Sequence, residues 1–456
     1  MSQLMVGAGK ACITPPADMF PMHRYETVYF EGILADLYAR AVLLDNGSER
    51  FLFISTEADP ALYKKDRQAI ADEYKIPEDH IMTTCCHNHS APHWGDRRSP
   101  YGDDREADLR QHREYGKIVM NGVRRAIDGA ISSLKPARYG YGTGESYINT
   151  NRDELFEDGY WMQSQNYGGI SDKTLAVMKF EDLDGNLIAV VLNYCCHGTT
   201  AFCVKDTDGK VKLTPGFMGY ACDFVEKRFA GAVEPVVLWT SGAAGDQNPL
   251  FSSEGFPRVY ELDGYTESIP TPPGTQYMIQ KHWGYTHAMD TIRALKNIIC
   301  TKSSMEIRTA TTTVELQGQR APEGVDMQLN RLFCDNFVRL YRPELFEGGK
   351  RPEKKLATMI PEGVVPLPMQ LAVLGDVAFV GAAAEPYVEI GLKCKAASPF
   401  KNTVIVTHTA AEKAGYILSD AAACHTVFQS FSKVRPGNND KPIVDGMLKM
   451  FEDVLN

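Results

Sequence analysis

The segment from Ala41 to Pro92 constrains the fold more than any other part of the chain. It reads as two strands, 41 to 45 and the apolar run FLFIST at 51 to 56, an amphipathic helix KKDRQAIADEYK, and a third strand HIMTTCC. Such β-α-β units usually pair their strands in parallel and leave polar chemistry at the strands' carboxyl ends. The motif CCHNHSAPH at 85 to 93 lies at such an end. The segment therefore predicts an α/β protein with a site beyond this strand.

Further strands along the chain also end in polar residues. The stretch TLAVMKFEDLDGNLIAVVLNYCCHG carries Asp184-Gly185, a hairpin turn signal, and ends in the second histidine motif, NYCCHGT at 193 to 199. The runs PVVLWTSGAAGDQNP, LAVLGDVAFVGAAAEP and VIVTHTA read as strands too. Helices are predicted from about 104 to 134, near 220 to 229 and from 443 to 455. Because the polar residues lie between 87 and 416, we expect one large domain over residues 1 to 456, with mixed β-sheets flanked by helices.

Composition excludes several partners and compartments. The 456 residues are 44% apolar and 23% charged, with a net charge of -10 and no run of Lys and Arg, so neither nucleic acid nor a stable membrane association is expected. No apolar stretch reaches the roughly 18 residues that span a bilayer, and the start lacks the pattern of a signal peptide. The expected location is cytoplasmic. The adjacent pairs Cys85-Cys86 and Cys195-Cys196 then read as reduced, buried thiols. The stretches 250 to 285 and 318 to 365 read as surface excursions.

Histidine and carboxylate residues at strand ends predict a metal site. His87 and His89 are two residues apart, so both project from one face if the strand continues through them. His197 directly follows a second strand, and Glu385 follows a third. Zinc binds neutral imidazole and carboxylate, and a catalytic zinc usually takes three protein ligands. The residues alone leave open that the histidines are core residues and that Glu385 only favours a helix N-terminus. His93, beyond Pro92, is expected at the rim.

The motifs and their order resemble a known family. They run GAGKACITPP, CCHNHSAPH, NTNRDELF, NYCCHGTT, MGYACDFVEKRF, SGAAGDQNP, GAAAEPYVEIGLKCK and AGYILSD, and this order is similar to that in the catalytic domain of neutral ceramidases and their shorter bacterial relatives. The resemblance spans almost the whole chain. It implies the fold of that domain, a mixed α/β architecture.

The resemblance also implies roles for individual residues. By their match to the family's motifs, one zinc ion would be held by His87, His197, Glu385 and Tyr416. His89 would contact the reacting group, and Arg152 would lie in the substrate pocket.

Departures from the family pattern concern the substrate more than the mechanism. Ceramidases carry a serine in a Gly-Asp-x-Ser-Pro stretch, whereas this chain has Asn248 in GDQNP. We assign Asp246 to catalysis and Asn248 to substrate binding, with turn capping as the alternative for both. Gly216 stands where the family often has an aspartate. The chain also ends without the C-terminal β domain of ceramidases, so a soluble small molecule is expected rather than a lipid in a bilayer.

Two functions follow from these residues. The first is a zinc-dependent hydrolase that cleaves an amide, or an ester or lactone, by metal-activated water. The alternative is a non-catalytic metal- or ligand-binding descendant of the same fold, for which Asn248 and Gly216 would mark the loss of chemistry. The sequence leaves the substrate and the oligomeric state open.

Overall fold

The fold is taken from a computed structural model, which describes residues 2–25, 28–98, 105–156, 159, 161–202, 204–251, 258–260, 266–268, 272–325 and 356–456. The helices are α1 Lys64–Tyr74, α2 Glu106–Ser132, α3 Gly216–Phe229, α4 Thr275–Asn297, α5 Val388–Ala397 and α6 Asp440–Leu455. The strands are β1 Met5–Cys12, β2 Met22–Tyr25, β3 Val28–Phe30, β4 Gly32–Ile33, β5 Tyr38–Asp45, β6 Arg50–Thr56, β7 Ile81–Cys85, β8 Lys135–Glu145, β9 Asn149–Leu155, β10 Trp161–Asn166, β11 Thr174–Asp182, β12 Leu187–Tyr194, β13 Lys212–Leu213, β14 Val236–Ser241, β15 Gln247–Pro249, β16 Arg258–Tyr260, β17 Thr266–Ser268, β18 Ile307–Arg320, β19 Ile360–Leu374, β20 Val377–Ala382, β21 Glu385–Pro386, β22 Asn402–Val406 and β23 Tyr416–Ile417.

Two mixed sheets form the centre of the molecule. The larger has the order β14-β12-β11-β8-β1-β5-β6-β7, and the smaller β18-β19-β20-β22. The predicted β-α-β unit is confirmed, since β6 and β7 pair in parallel on either side of α1. The predicted hairpin is confirmed as well, because β11 and β12 are antiparallel neighbours. Strands β1 and β8 pair over two residues only, while Ser55 Oγ of β6 donates to the carbonyl of Trp239 in β14 at 2.7 Å. The larger sheet therefore curls, and its edge strand β14 lies against β6.

Side-chain alternation along the strands builds four layers. In β5, Ala41 and Leu43 face a core with α1 and α2, whereas Val42 and Leu44 face a core shared with the smaller sheet. This is the period of two that a strand buried on both faces requires. Helices α3 and α4 cover the β12 and β14 part of the larger sheet, and α5 and α6 cover the outer face of the smaller one. The order helix, sheet, sheet, helix confirms the predicted fold class of mixed sheets flanked by helices.

Glycine allows one close approach between layers. A Cβ on Gly9 of β1 would lie 2.0 Å from the carbonyl oxygen of Ala126 in α2. Atoms cannot approach so closely, so the absence of a side chain at Gly9 lets helix and strand pack backbone to backbone.

The predicted helices are present with slightly different ends, but one expectation was wrong in part. The stretch 250 to 285 contains the start of α4, whose inner face is buried against the larger sheet, so it is not wholly a surface excursion. Much of this stretch and residues 326 to 355 of the stretch 318 to 365 lie outside the described residues. The described ends of the latter continue the β18–β19 ribbon. Among the described residues, no helix is both long and apolar enough to cross a membrane.

Candidate metal centre

Four strands of the fold deliver side chains to one buried point. His87 follows β7, His197 follows β12, and Glu385 and Tyr416 pair with each other in the short parallel ladder of β21 and β23. Backbone hydrogen bonds lock these segments together: His89 N donates to the carbonyl of Gly198 at 3.1 Å, and His197 N to that of Gln247 at 3.0 Å. The site is thus assembled from both sheets.

The donor atoms of this cluster have the spacing of metal ligands. Glu385 Oε2 lies 3.4 Å from the Nε2 atoms of both His87 and His197, and Tyr416 Oη lies 3.3 Å from His197 Nε2. Ligands of a tetrahedral ion, each about 2.0–2.2 Å from it, lie roughly 3.3–3.6 Å apart. Glu385 Oε2 is buried and makes no hydrogen bond within the described part of the chain. This arrangement fits zinc, because a carboxylate, two imidazole nitrogens and a phenol oxygen face one another at the spacing of zinc ligands.

His89 belongs to the same cluster. Its Nε2 lies 3.1 Å from His87 Nε2, and one donor atom each of His87, His89 and His197 fall within 4.8 Å of one another. Its ring packs edge-on against Phe202. His89 is therefore within reach of both the ion position and a group bound to it.

Burial and neighbouring charges shift the pKa values of the cluster residues in different directions. Burial alone lowers the pKa of His87, but the charge of Glu385 and a hydrogen bond with Asp59 raise it to about 10. Burial and the cation of Arg152 lower the pKa of His197 to about 3. Burial opposes the ionisation of Glu385. The Lys413 ammonium pairs with Glu385 Oε1, and together with the charge of His87 it holds the pKa of Glu385 well below its usual range. A cation at the centre would therefore meet an ionised carboxylate and displace the proton of His87.

Arg152 and Asn248 form a polar wall beside Tyr416. Arg152 is buried, its guanidinium lies 5.5 Å from the Tyr416 ring centre, and its NH1 donates to Asn248 Oδ1 at 3.2 Å. Thr199 Oγ1 donates to the same oxygen at 3.1 Å. Asn248 Nδ2 is buried and makes no hydrogen bond within the described residues. This amide nitrogen is therefore a buried donor without a partner among the described residues.

Asp246 is not joined to the metal cluster. Its Oδ1 accepts a hydrogen bond from Val388 N at the start of α5, and its Oδ2 accepts one from Asn151 Nδ2, each at 2.8 Å. Burial and the nearby charge of Asp153 raise the pKa of Asp246 to about 7. The structure thus places the Asp246 carboxylate between β9 and the start of α5, and no hydrogen bond or ion pair in the described ranges links it to the metal cluster.

Three residues that the sequence analysis did not select also surround His87. His408 stacks on its ring with centroids 4.1 Å apart, Asp59 Oδ1 lies 3.4 Å from its Nδ1, and Lys413 pairs with Glu385. His408 follows the strand of VIVTHTA as His197 follows its own strand, so the strand-end pattern could have identified it. No sequence signal marks Lys413. The prediction that His93 lies at the rim was wrong, because its ring is fully buried behind Asp59.

The backbone at two of these histidines is unusual. His87 and His408 have φ angles of 49° and 54°, in the left-handed region that residues other than glycine seldom adopt. Such conformations cost free energy and persist where the surroundings impose them, often at functional sites. Here they accompany the close stacking of the two rings.

Comparisons with known proteins support the motif resemblance. No family model matches the chain. It is 26% identical over 263 residues to the neutral ceramidase of Pseudomonas aeruginosa, which covers 53% of this chain and 36% of that protein. It is also 26% identical over 210 residues to neutral ceramidase A of Dictyostelium discoideum, covering 44% of this chain and 29% of that protein. The match thus spans about a third of the length of these curated relatives.

The fold likeness extends further than the sequence likeness. The crystal structure of neutral ceramidase from Pseudomonas aeruginosa superposes with a TM-score of 0.66 at 17% identity, covering 99% of this chain and 74% of that chain. A solved structure described as ceramidase complexed with C2 gives 0.67 at 17% identity, covering 75% of its chain. The chain is therefore a distant, neutral-ceramidase-like relative whose fold is shared along its whole length.

Proposed function

We propose that this protein is a zinc-dependent hydrolase that cleaves an amide, or an ester or lactone, of a small soluble molecule. The observation that carries the proposal is the convergence of His87, His197, Glu385 and Tyr416 on one buried point, with neighbouring donor atoms 3.3–3.4 Å apart. The similarity to neutral ceramidases, whose name denotes an amide hydrolase, supports hydrolysis as the reaction.

In this proposal, the residues around the metal position either hold the ion or contact the substrate. A zinc ion there would supply a Lewis acid and make water nucleophilic at neutral pH. His87, His197, Glu385 and Tyr416 would hold it. Burial and the charge of His87 hold the pKa of His89 well below its usual range, so His89 is neutral and would donate a hydrogen bond to the substrate carbonyl.

Arg152 and Asn248 orient the substrate in this proposal. The buried guanidinium of Arg152 would supply positive charge, and the Nδ2 of Asn248 a hydrogen-bond donor, to a polar or anionic group next to the scissile bond. Asn248 takes the place of the serine in the ceramidase pattern, and it presents an amide instead of a hydroxyl. The substrate is therefore expected to differ from ceramide.

Metal content tests the proposal first. Protein purified without added metal or a metal-binding tag should contain about one zinc per chain by elemental mass spectrometry, and His197→Ala should lose it. His282→Ala is the control, because His282 is an exposed histidine of α4. Zinc neither present in the wild type nor taken up on addition would refute the metal site.

An activity assay distinguishes the hydrolase from the non-catalytic alternative. The alternative is favoured by Asn248, which stands in place of the family's serine. Wild type and His89→Ala are compared on a panel of amides, esters, lactones and ceramide. We expect turnover of at least one soluble substrate by the wild type, and its loss in a folded, zinc-loaded His89→Ala. A zinc-loaded wild type that turns over no member of the panel would support the binding function.

A further inference from the structure

The carboxylate of Asp59 lies behind the proposed metal centre. Asp59 follows β6 and is 2% exposed, and its Oδ1 lies 3.4 Å from Nδ1 of His87. The other ring nitrogen of His87, Nε2, lies 3.4 Å from Glu385 Oε2, on the metal side. The imidazole of His87 therefore stands between the metal position and a buried carboxylate.

The chemistry of imidazole decides where the proton of His87 must be. A neutral ring has one protonated and one bare nitrogen, and only the bare nitrogen can bind a metal. If Nε2 is the ligand, Nδ1 carries the proton and needs an acceptor. Asp59 Oδ1 is that acceptor, which gives the arrangement of carboxylate, histidine and metal that orients ligands in many sites.

Asp59 is itself held in place from several sides. Arg24 NH2 lies 3.6 Å and His93 Nε2 lies 3.4 Å from Asp59 Oδ2. Trp94 N donates to the Asp59 backbone carbonyl at 3.2 Å. The carboxylate is thus held in a fixed position behind His87.

The two predicted histidine ligands, His87 and His197, differ in what their Nδ1 atoms face. His197 Nδ1 is buried and makes no hydrogen bond within the described ranges. His87 alone of the pair faces a carboxylate through Nδ1, so its orientation and donor strength depend on that partner.

His87 also belongs to a second group of residues that could hold a metal ion. Cys85, His87 and His408 each place one donor atom within 4.8 Å of the others, and Cys85 Sγ lies 3.8 Å from Asp59 Oδ1. A metal bound there through His87 Nδ1 would displace the proton that Asp59 accepts. The two arrangements exclude each other, and the ion pair with Arg24 holds Asp59 in place beside Nδ1 of His87, which favours Asp59 as the acceptor.

We propose that Asp59 is the positioning residue of the metal centre, which fixes His87 in the tautomer with a protonated Nδ1 and strengthens Nε2 as a ligand. The inference rests on the proposed metal-dependent function, since it assigns a role toward the same ion. Removal of the carboxylate charge should weaken zinc binding without removing any ligand.

Zinc affinity of three variants tests this role. Metal-free wild type, Asp59→Asn and Asp59→Glu are titrated with zinc against a chelator of known affinity. We expect the affinity of Asp59→Asn to fall about 10- to 100-fold, with partial recovery in Asp59→Glu. Asp172→Asn is the matched control: Asp172 is also buried, ion-paired to Lys395 at 2.6 Å and next to a thiol, that of Cys195, but outside the cluster. Its zinc affinity should remain within about twofold of the wild type.

The tautomer of His87 gives a second readout, measured on the wild-type protein. Long-range proton–nitrogen NMR of the zinc-loaded wild type should show Nδ1 of His87 protonated, with assignment by His87→Gln. An unprotonated Nδ1, or two zinc ions per chain, would overturn the proposal in favour of metal bound near Cys85. Equal affinity in wild type and Asp59→Asn would also overturn it, and the proposed function would stand. A wild type that binds no zinc would refute the proposed function itself.

Discussion

At the scale of single residues, Asp246 shows how position in sequence and position in space can differ. The motif GDQNP suggested a catalytic carboxylate, and the folded chain places that carboxylate on Asn151 Nδ2 and Val388 N. Both partners are donors. The carboxylate therefore joins the strand that carries Arg152 to the start of α5, and its contribution to stability can be measured separately from catalysis.

Asp246→Asn should destabilise the protein by about 1–3 kcal/mol, because the new NH2 group must face one of two donors. The effect should depend on pH. The pKa of Asp246 is raised to about 7 in the folded state, so the folded protein binds a proton more tightly than the unfolded chain. The advantage of wild type over variant should therefore be largest near pH 4 and shrink as pH rises toward 7. Urea unfolding of both proteins across this range measures it.

Asp172→Asn is a control for which the pH dependence of stability should have the opposite sign. Its ion pair with Lys395 outweighs burial and lowers the pKa of Asp172, so the wild-type advantage over this variant should grow as pH rises. An Asp246 difference that stays flat with pH would show that this carboxylate keeps an ordinary pKa in the folded protein.

Sequence reasoning reached some residues of the site and missed others for a physical reason. His87, His197 and Glu385 follow apolar strands, and that local pattern is visible in the sequence. Lys413 and Asp59 lie in irregular segments, and their roles depend on partners 28 residues apart in the chain in both cases. No local pattern encodes such contacts. His408 shares the strand-end pattern, but its segment VIVTHTA carries a single histidine.

At the scale of secondary-structure elements, the contact between β1 and α2 leaves no room for a side chain at Gly9. Gly9→Ala would place a Cβ 2.0 Å from the carbonyl oxygen of Ala126 and 2.8 Å from the amide of Ala130. Both are backbone atoms of a 27-residue helix, so the helix must shift as a unit. We expect a loss of about 1–3 kcal/mol or more in the free energy of unfolding, by urea denaturation.

Gly231→Ala is the control for that substitution. A Cβ there meets no atom within 4 Å, so its stability should stay within about 0.5 kcal/mol of the wild type. Equal stability of Gly9→Ala and Gly231→Ala would mean that the strand and helix are farther apart than the structure has them.

At the scale of the whole molecule, the candidate metal centre connects both sheets. His87 and His197 follow strands of the larger sheet, and Glu385 follows β20 of the smaller one. An ion bound by all of them should therefore stabilise the folded chain as a whole. Zinc at a free concentration of 100 times its Kd should add about 2.7 kcal/mol to the free energy of unfolding. For a chain of this length, that corresponds to a rise in Tm of about 3 °C.

Calorimetry of the metal-free protein with and without zinc measures this rise. His197→Ala should show none at the same zinc concentration, whereas His282→Ala should behave as the wild type. A rise of equal size in His197→Ala would place the stabilising zinc elsewhere on the chain.

The sequence by itself determined the elements, the fold class and the strand ends at which polar residues emerge. Hydrophobic periodicity and turn residues act over a few positions, so they can be read along the chain. Only the tertiary structure decided that the Asp246 carboxylate joins β9 to the start of α5, that His93 is buried, and that Asp59, His408 and Lys413 surround the candidate ligands. These outcomes depend on how two sheets pack, because packing brings distant residues into contact and sets the burial and charge that each one meets.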